Sequence, residues 1–96
     1  MNLIVVGFQW CPYFISTCTE LSSANIEYNT VIAQDSTDLK RKVSAIKRLH
    51  PVRGISGQTS PQILRVEPLS VICIGGHDSL ESIGMENVLS WYPLKF

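Results

Sequence analysis

The chain opens on an unbroken apolar run, Leu3-Ile4-Val5-Val6-Gly7-Phe8, of a length that suits a strand buried on both faces. A first strand is expected from about Asn2 to Phe8. The period then changes. Phe14, Ile15, Cys18, Leu21 and Ser22 fall on one helical face, which predicts a helix from Pro12 to Ser23. Asn25 suits a left-handed stop just beyond it. A second strand, rich in Tyr, Thr, Val and Ile, is expected from Ile26 to Ala33.

Ser36 or Thr37 can cap a second helix, whose apolar stripe is Leu39, Val43, Ile46 and Leu49, and Pro51 ends it. Loop formers fill Arg53 to Ser60. A third strand is expected over Gln62 to Glu67 and a fourth over Leu69 to Ile74, with a turn at Pro68 and a stop at Gly75-Gly76. Strands this close form an antiparallel hairpin. A third helix is expected from Asp78 to Trp91, with Asp78 and Glu81 at capping-box spacing and Pro93 closing the pattern. The order is βαβαββα: an α/β fold with a mixed four-stranded sheet flanked by helices.

Composition narrows this further. Ninety-six residues suit one domain over 1–96, and a 45% hydrophobic content supplies a small core. The net charge is zero, so bulk electrostatics points to neither nucleic acid nor an anionic membrane. The basic cluster Lys40, Arg41, Lys42, Lys47 and Arg48 reads as a solvated helix face. The three cysteines are irregularly spaced and form no disulfide framework. No basic segment precedes the first apolar run, so a secretory leader is not expected and a reducing cytoplasm is. His50 and His77 lack a Cys-x-x-Cys pair, and no metal site is expected.

The chemistry concentrates at Trp10-Cys11-Pro12-Tyr13-Phe14, where the first strand gives way to the first helix. Proline favours the first helical position. A thiol just before it faces unpaired N–H groups and the positive end of the helix dipole, which lower its pKa. Cys11 is the candidate nucleophile.

This stretch resembles the glutaredoxin active site, Cys-Pro-Tyr-Cys, with Phe14 in place of the second cysteine. Two further segments carry the same resemblance. Thr59-Ser60-Pro61-Gln62-Ile63 is similar to the family's Thr-Val-Pro segment, whose proline is cis, and Gly75-Gly76-His77-Asp78 to its Gly-Gly-x-Asp motif. The resemblance spans nearly the whole chain and implies a thioredoxin-like fold. It also implies a glutathione groove. Tyr13 would be one wall, and the main chain at Ser60-Pro61 would pair with the peptide, with Thr59 beside it. Gly76, His77 and Asp78 would lie at the γ-glutamyl end. Gln58 would lie near the glycine carboxylate, a role that Arg53 or a lysine of the second helix could take instead.

Without a second thiol, Cys11 is expected to exchange with glutathionylated proteins or small disulfides by a monothiol route, with glutathione as co-substrate. Ribonucleotide reductase is a candidate acceptor through the resemblance, although relatives that reduce it generally use two thiols. Cys18 lies two helical turns from Cys11, too far for a disulfide, and is expected to pack in the core, as is Cys73. Phe8 stands where relatives often carry a lysine that helps hold the thiolate. Two alternatives remain open: an iron–sulfur carrier, whose relatives instead show Cys-Gly-Phe-Ser, and a non-catalytic interaction module. A monomer is expected.

Overall fold

The computed structural model describes residues 2–48, 52–53 and 60–92. Strand β1 (Asn2–Phe8) leads into helix α1 (Pro12–Ser23), strand β2 (Asn29–Ala33) and helix α2 (Ser36–Lys47). A two-residue strand β3 (Val52–Arg53) follows, then β4 (Gln62–Val66), β5 (Val71–Gly75) and helix α3 (His77–Ile83). A short 3-10 turn, Met85–Asn87, closes the sequence of elements. No helix among the described residues is long and apolar enough to cross a membrane.

The sheet order is β2-β1-β4-β5-β3. β1 runs parallel to β2, as the βαβ crossover through α1 requires, and antiparallel to β4. β4 and β5 form the expected antiparallel hairpin. The mixed sheet of four long strands is thus present, and β3 adds a short parallel edge to β5. The sequence carries no signal for that fifth strand, because two residues between Pro51 and the loop formers leave no periodicity to read.

Alternation along the strands sorts the core onto two faces. Leu3 and Val5 of β1, Ile63 of β4 and Ile72 and Ile74 of β5 pack with Phe14, Leu21 and Leu80 of α1 and α3. Val6, Leu64, Val71 and Cys73 point the other way, onto Leu39 and Val43 of α2. Both faces are covered, which is why the strands read as continuous apolar runs.

Four local expectations are corrected. In α1 the buried stripe is Phe14, Thr17 and Leu21, while Ile15 is exposed; the Thr17 hydroxyl donates to the Tyr13 carbonyl at 2.8 Å and so tolerates burial. β2 begins at Asn29 rather than Ile26, since Ile26 and Tyr28 pack against the core ahead of the ladder. The cap of α2 is Asp35 rather than Ser36 or Thr37: its carboxylate accepts from the Asp38 N–H at 2.8 Å. The expected third helix stops at Ile83, because Gly84 takes a φ of 89° and turns the chain into the 3-10 segment. Helix α1, by contrast, has the expected bounds, and Asn25 is left-handed at φ 57°. Leu49, Pro51 and Pro93 lie outside the described residues.

Arg65 of β4 is fully buried and fastens the segment after α3. Its guanidinium donates to Glu67 at 3.1 Å and to the carbonyls of Val88 and Trp91, both at 2.7 Å. Burial of this cation is tolerated because its charge is paired and its donors are satisfied.

Candidate active site

Cys11 is the N-cap residue of α1. Its backbone is extended (φ −72°, ψ 123°), and no side chain caps the helix. The Cys11 N–H donates to the Phe8 carbonyl and the Ile15 N–H to the Cys11 carbonyl, both at 3.0 Å, which fixes the junction between β1 and α1. Pro12 at the first helical position leaves the N–H groups of Tyr13 and Phe14 as the donors nearest the thiol.

The thiol is largely covered, with Cys11 7% exposed, and its Sγ approaches the Ser60 carbonyl at 3.8 Å. Burial is the largest influence on its acidity and pushes the pKa up. Hydrogen bonding from Ser60 and from the N–H groups of Phe14 and Tyr13 together outweighs it, so the pKa falls below the usual 9.0. The Ser60 hydroxyl accepts the Phe8 N–H at 3.0 Å, which holds it beside the thiol. The Ser60–Pro61 bond is cis.

Phe14 is 6% exposed and belongs to the same apolar cluster as Cys11. Gly7 makes room for it: a Cβ there would overlap both the Phe14 ring and the Ser60 hydroxyl. The position that would hold a second thiol is therefore filled by a fitted core side chain. Cys18 is half-buried and Cys73 buried on the opposite, α2 face; burial pushes both thiols up, against partial offsets from Tyr28 and Lys47 respectively. All three cysteines are free.

A groove of about 420 Å³ lies beside the thiol, lined by Tyr13, Ser60, Pro61, Gly76, His77, Asp78 and Ser79. Six residues singled out in sequence thus meet in one groove, although they come from three separate segments. Ser79 joins them from the first turn of α3. Gln58 and Thr59 lie outside the described residues, as does the Arg53 side chain. A larger hollow, about 760 Å³, lies along α3 and the 3-10 segment, with Ile74, Ser82, Asn87 and Trp91 among its walls. It shares only Asp78 and Ser79 with the groove and, unlike the groove, has neither Tyr13 nor Ser60, the neighbours of the thiol, in its walls.

Aromatic residues frame the thiol. Phe8 stacks on Trp10 with centroids 5.1 Å apart, so the position three residues before Cys11 belongs to an apolar pair and carries no cation. Tyr13 is exposed, and its ring lies 5.9 Å from that of His77. His77 Nε2 meets Glu20 Oε2 of α1 at 2.6 Å, so this nitrogen is engaged across the two helices rather than free to meet a ligand. Glu20 carries no sequence signal for this role, being 57 positions from His77.

The Asp78–Glu81 capping box does not form. Gly76 is the N-cap of α3 and Asp78 lies within the first turn, so its carboxylate is available to the groove.

No family model and no curated protein matches the sequence. Among solved structures, a crystal structure of glutaredoxin 1 from Francisella tularensis complexed with cacodylate is similar. It superposes with a TM-score of 0.64 at 20% identity, over 94% of this chain and 98% of that one. The chain has a thioredoxin-like fold, in the arrangement found in that glutaredoxin.

Proposed function

We propose that this chain is a glutathione-dependent thiol–disulfide oxidoreductase that works by a monothiol route through Cys11. The observation that carries this reading is the thiol itself. It sits at an uncapped helix start, has a lowered pKa, and adjoins a groove walled by Tyr13, Ser60, Pro61, Gly76, His77 and Asp78. The likeness to a glutaredoxin structure supports the same reading at the level of the fold.

The Cys11 thiolate attacks the glutathione sulfur of a mixed disulfide RS–SG. A Cys11–glutathione disulfide forms, and RS⁻ leaves and takes a proton from solvent. The thiolate of a second glutathione then attacks the glutathione sulfur of the enzyme-bound disulfide, releasing oxidised glutathione and restoring Cys11. The sum is RS–SG plus glutathione giving RSH plus oxidised glutathione. The peptide lies in the groove, its main chain along Ser60-Pro61 and its γ-glutamyl end at Asp78 and Gly76. His77 contributes a wall here, since its Nε2 is held by Glu20. By the resemblance, Gln58 is proposed for the glycine carboxylate and Thr59 as a neighbour of the Ser60-Pro61 main chain; both lie outside the described residues. Helix geometry keeps Cys18 from resolving the intermediate: seven residues along a helix is about 10 Å, beyond the reach of a disulfide.

Turnover of a glutathionylated small disulfide, with glutathione supplied and recycled, tests this directly. Cys11→Ser should abolish turnover and Cys18→Ser should leave it. A folded wild-type chain that turns nothing over would overturn the catalytic reading.

A further inference from the structure

The pairing of His77 with α1 leaves an unbalanced charge. His77 Nε2 faces two carboxylates at once, Glu20 Oε2 at 2.6 Å and Glu81 Oε1 at 3.5 Å. His77 and Glu81 are four residues apart and share one face of α3. Glu20 reaches them from α1. The donor atoms of all three lie within 4.8 Å of one another.

One imidazole nitrogen can offer at most one proton, and so can donate fully to only one of these carboxylates. A neutral ring leaves two negative charges, and a protonated ring still leaves one. The described ion pairs of arginine and lysine lie elsewhere: Arg41 and Lys42 pair with Asp38, and Arg65 with Glu67.

We propose that Glu20, His77 and Glu81 form a binding site for a divalent transition-metal ion of the zinc type. One imidazole nitrogen and two carboxylate oxygens suit zinc and its neighbours, whereas magnesium and calcium favour oxygen alone. A doubly charged ion neutralises both carboxylates, which the imidazole proton cannot do. Three protein ligands leave the fourth tetrahedral position to water. Adjustment is small and falls on the exposed partners. The His77 side chain is 14% exposed and is packed near Tyr13, while those of Glu20 and Glu81 are 41% and 58% exposed and can close on an ion. An ion here would tie α1 to α3 at one wall of the groove. The site does not depend on the glutathione reading, because none of its ligands is a thiol.

Zinc chloride titrated into the Cys11→Ser chain tests this, since that variant removes the most reactive competing thiol. Calorimetry should show one saturable site, and ring resonances in NMR should shift at His77 and not at His50, the other histidine. Glu20→Gln and Glu81→Gln lie on exposed helix surfaces and should fold. Each should weaken binding by about tenfold or more. Undiminished affinity in both glutamine variants, a shift confined to His50, or no saturable binding would each overturn the proposal.

Discussion

Helices α1 and α2 both follow a strand of the same sheet, yet their first turns are built in opposite ways. At α2 the polar groups are consumed locally. Asp35 caps the helix by accepting the Asp38 N–H at 2.8 Å, and Asp38, three residues on, accepts the Gln34 N–H at 2.9 Å. Arg41 and Lys42 then close on Asp38. At α1 the cap position is Cys11, which makes no capping bond, and the residue three on is Phe14, buried in the core. The donors that α2 uses for its own stability are left at α1 for a thiolate. One helix start is closed by its own side chains; the other lacks a cap and, under the proposed function, leaves its donors to the thiolate.

The sharpest way to break this contrast is Cys11→Ser. Turnover should fall to background, while stability in urea should hold or rise by up to about 1 kcal/mol, because serine is a good N-cap and cysteine is not. A large loss of stability would show that the thiol's packing, rather than its chemistry, fixes the residue there. Next in size is Phe14→Ala. Its ring fills the space that Gly7 leaves, so its loss should cost about 3 to 4 kcal/mol by denaturant unfolding. A cost below about 1 kcal/mol would mean that the site collapses without the ring, and that Phe14 is no fitted core residue.

The same contrast explains what could be read in advance. The start of α1 is legible because a cysteine and a proline at the end of an apolar run have few other reasons to be adjacent, and the bounds follow from Pro12 at the start and Asn25 at the stop, even though the stripe between them differs in part. Tyr13, Ser60, Pro61, Gly76, His77 and Asp78 were legible as motifs, and they meet in one groove. The expected cap of α2, Ser36 or Thr37, lies one or two residues past the observed Asp35, because all three are competent caps; only the contacts of Asp38 distinguish them. Gly84 has the left-handed backbone that ends α3, but a glycine inside an apolar helical pattern leaves no period to mark it. Glu20 was beyond reach, because its partner His77 is brought to it by the packing of α3 on α1. The burial of Arg65 is of the same kind: in sequence it is a charge in an apolar strand, and its carbonyl partners come from after α3.

Two smaller effects sharpen the comparison from the α2 side. Asp35→Ala removes the cap and should lower stability by about 1 kcal/mol, read from the urea midpoint; an unchanged midpoint would deny the cap its role. Asp38 is held at a pKa of about 2, mainly by the Gln34 N–H and then by Arg41 and Lys42. Its folded value is depressed, so its contribution is present above its ordinary value of 3.8 and is lost as the pH falls towards 2. Asp38→Asn should flatten acid unfolding across that window. A slope as steep as wild type would place the acid sensitivity elsewhere.

The smallest expected change is at α1, and it isolates one donor. Ser60 is the leading favourable influence on the Cys11 thiolate, set against burial and helped by the N–H groups of Phe14 and Tyr13. Ser60→Ala removes the hydroxyl but keeps both helix donors. The thiol pKa should therefore rise without returning to that of a simple buried thiol. Alkylation of Cys11 by iodoacetamide reports this, since only the thiolate reacts. The midpoint of its pH profile should move upwards, and the rate at neutral pH should fall several-fold, each unit of pKa being worth about tenfold in thiolate at pH values well below it. The Phe8 N–H also loses its acceptor, so folded-state circular dichroism is measured alongside. A midpoint unmoved in a folded variant would assign the thiolate's stability to the helix start alone, and the contrast with α2 would then rest on the two first turns without any help from the Ser60 loop.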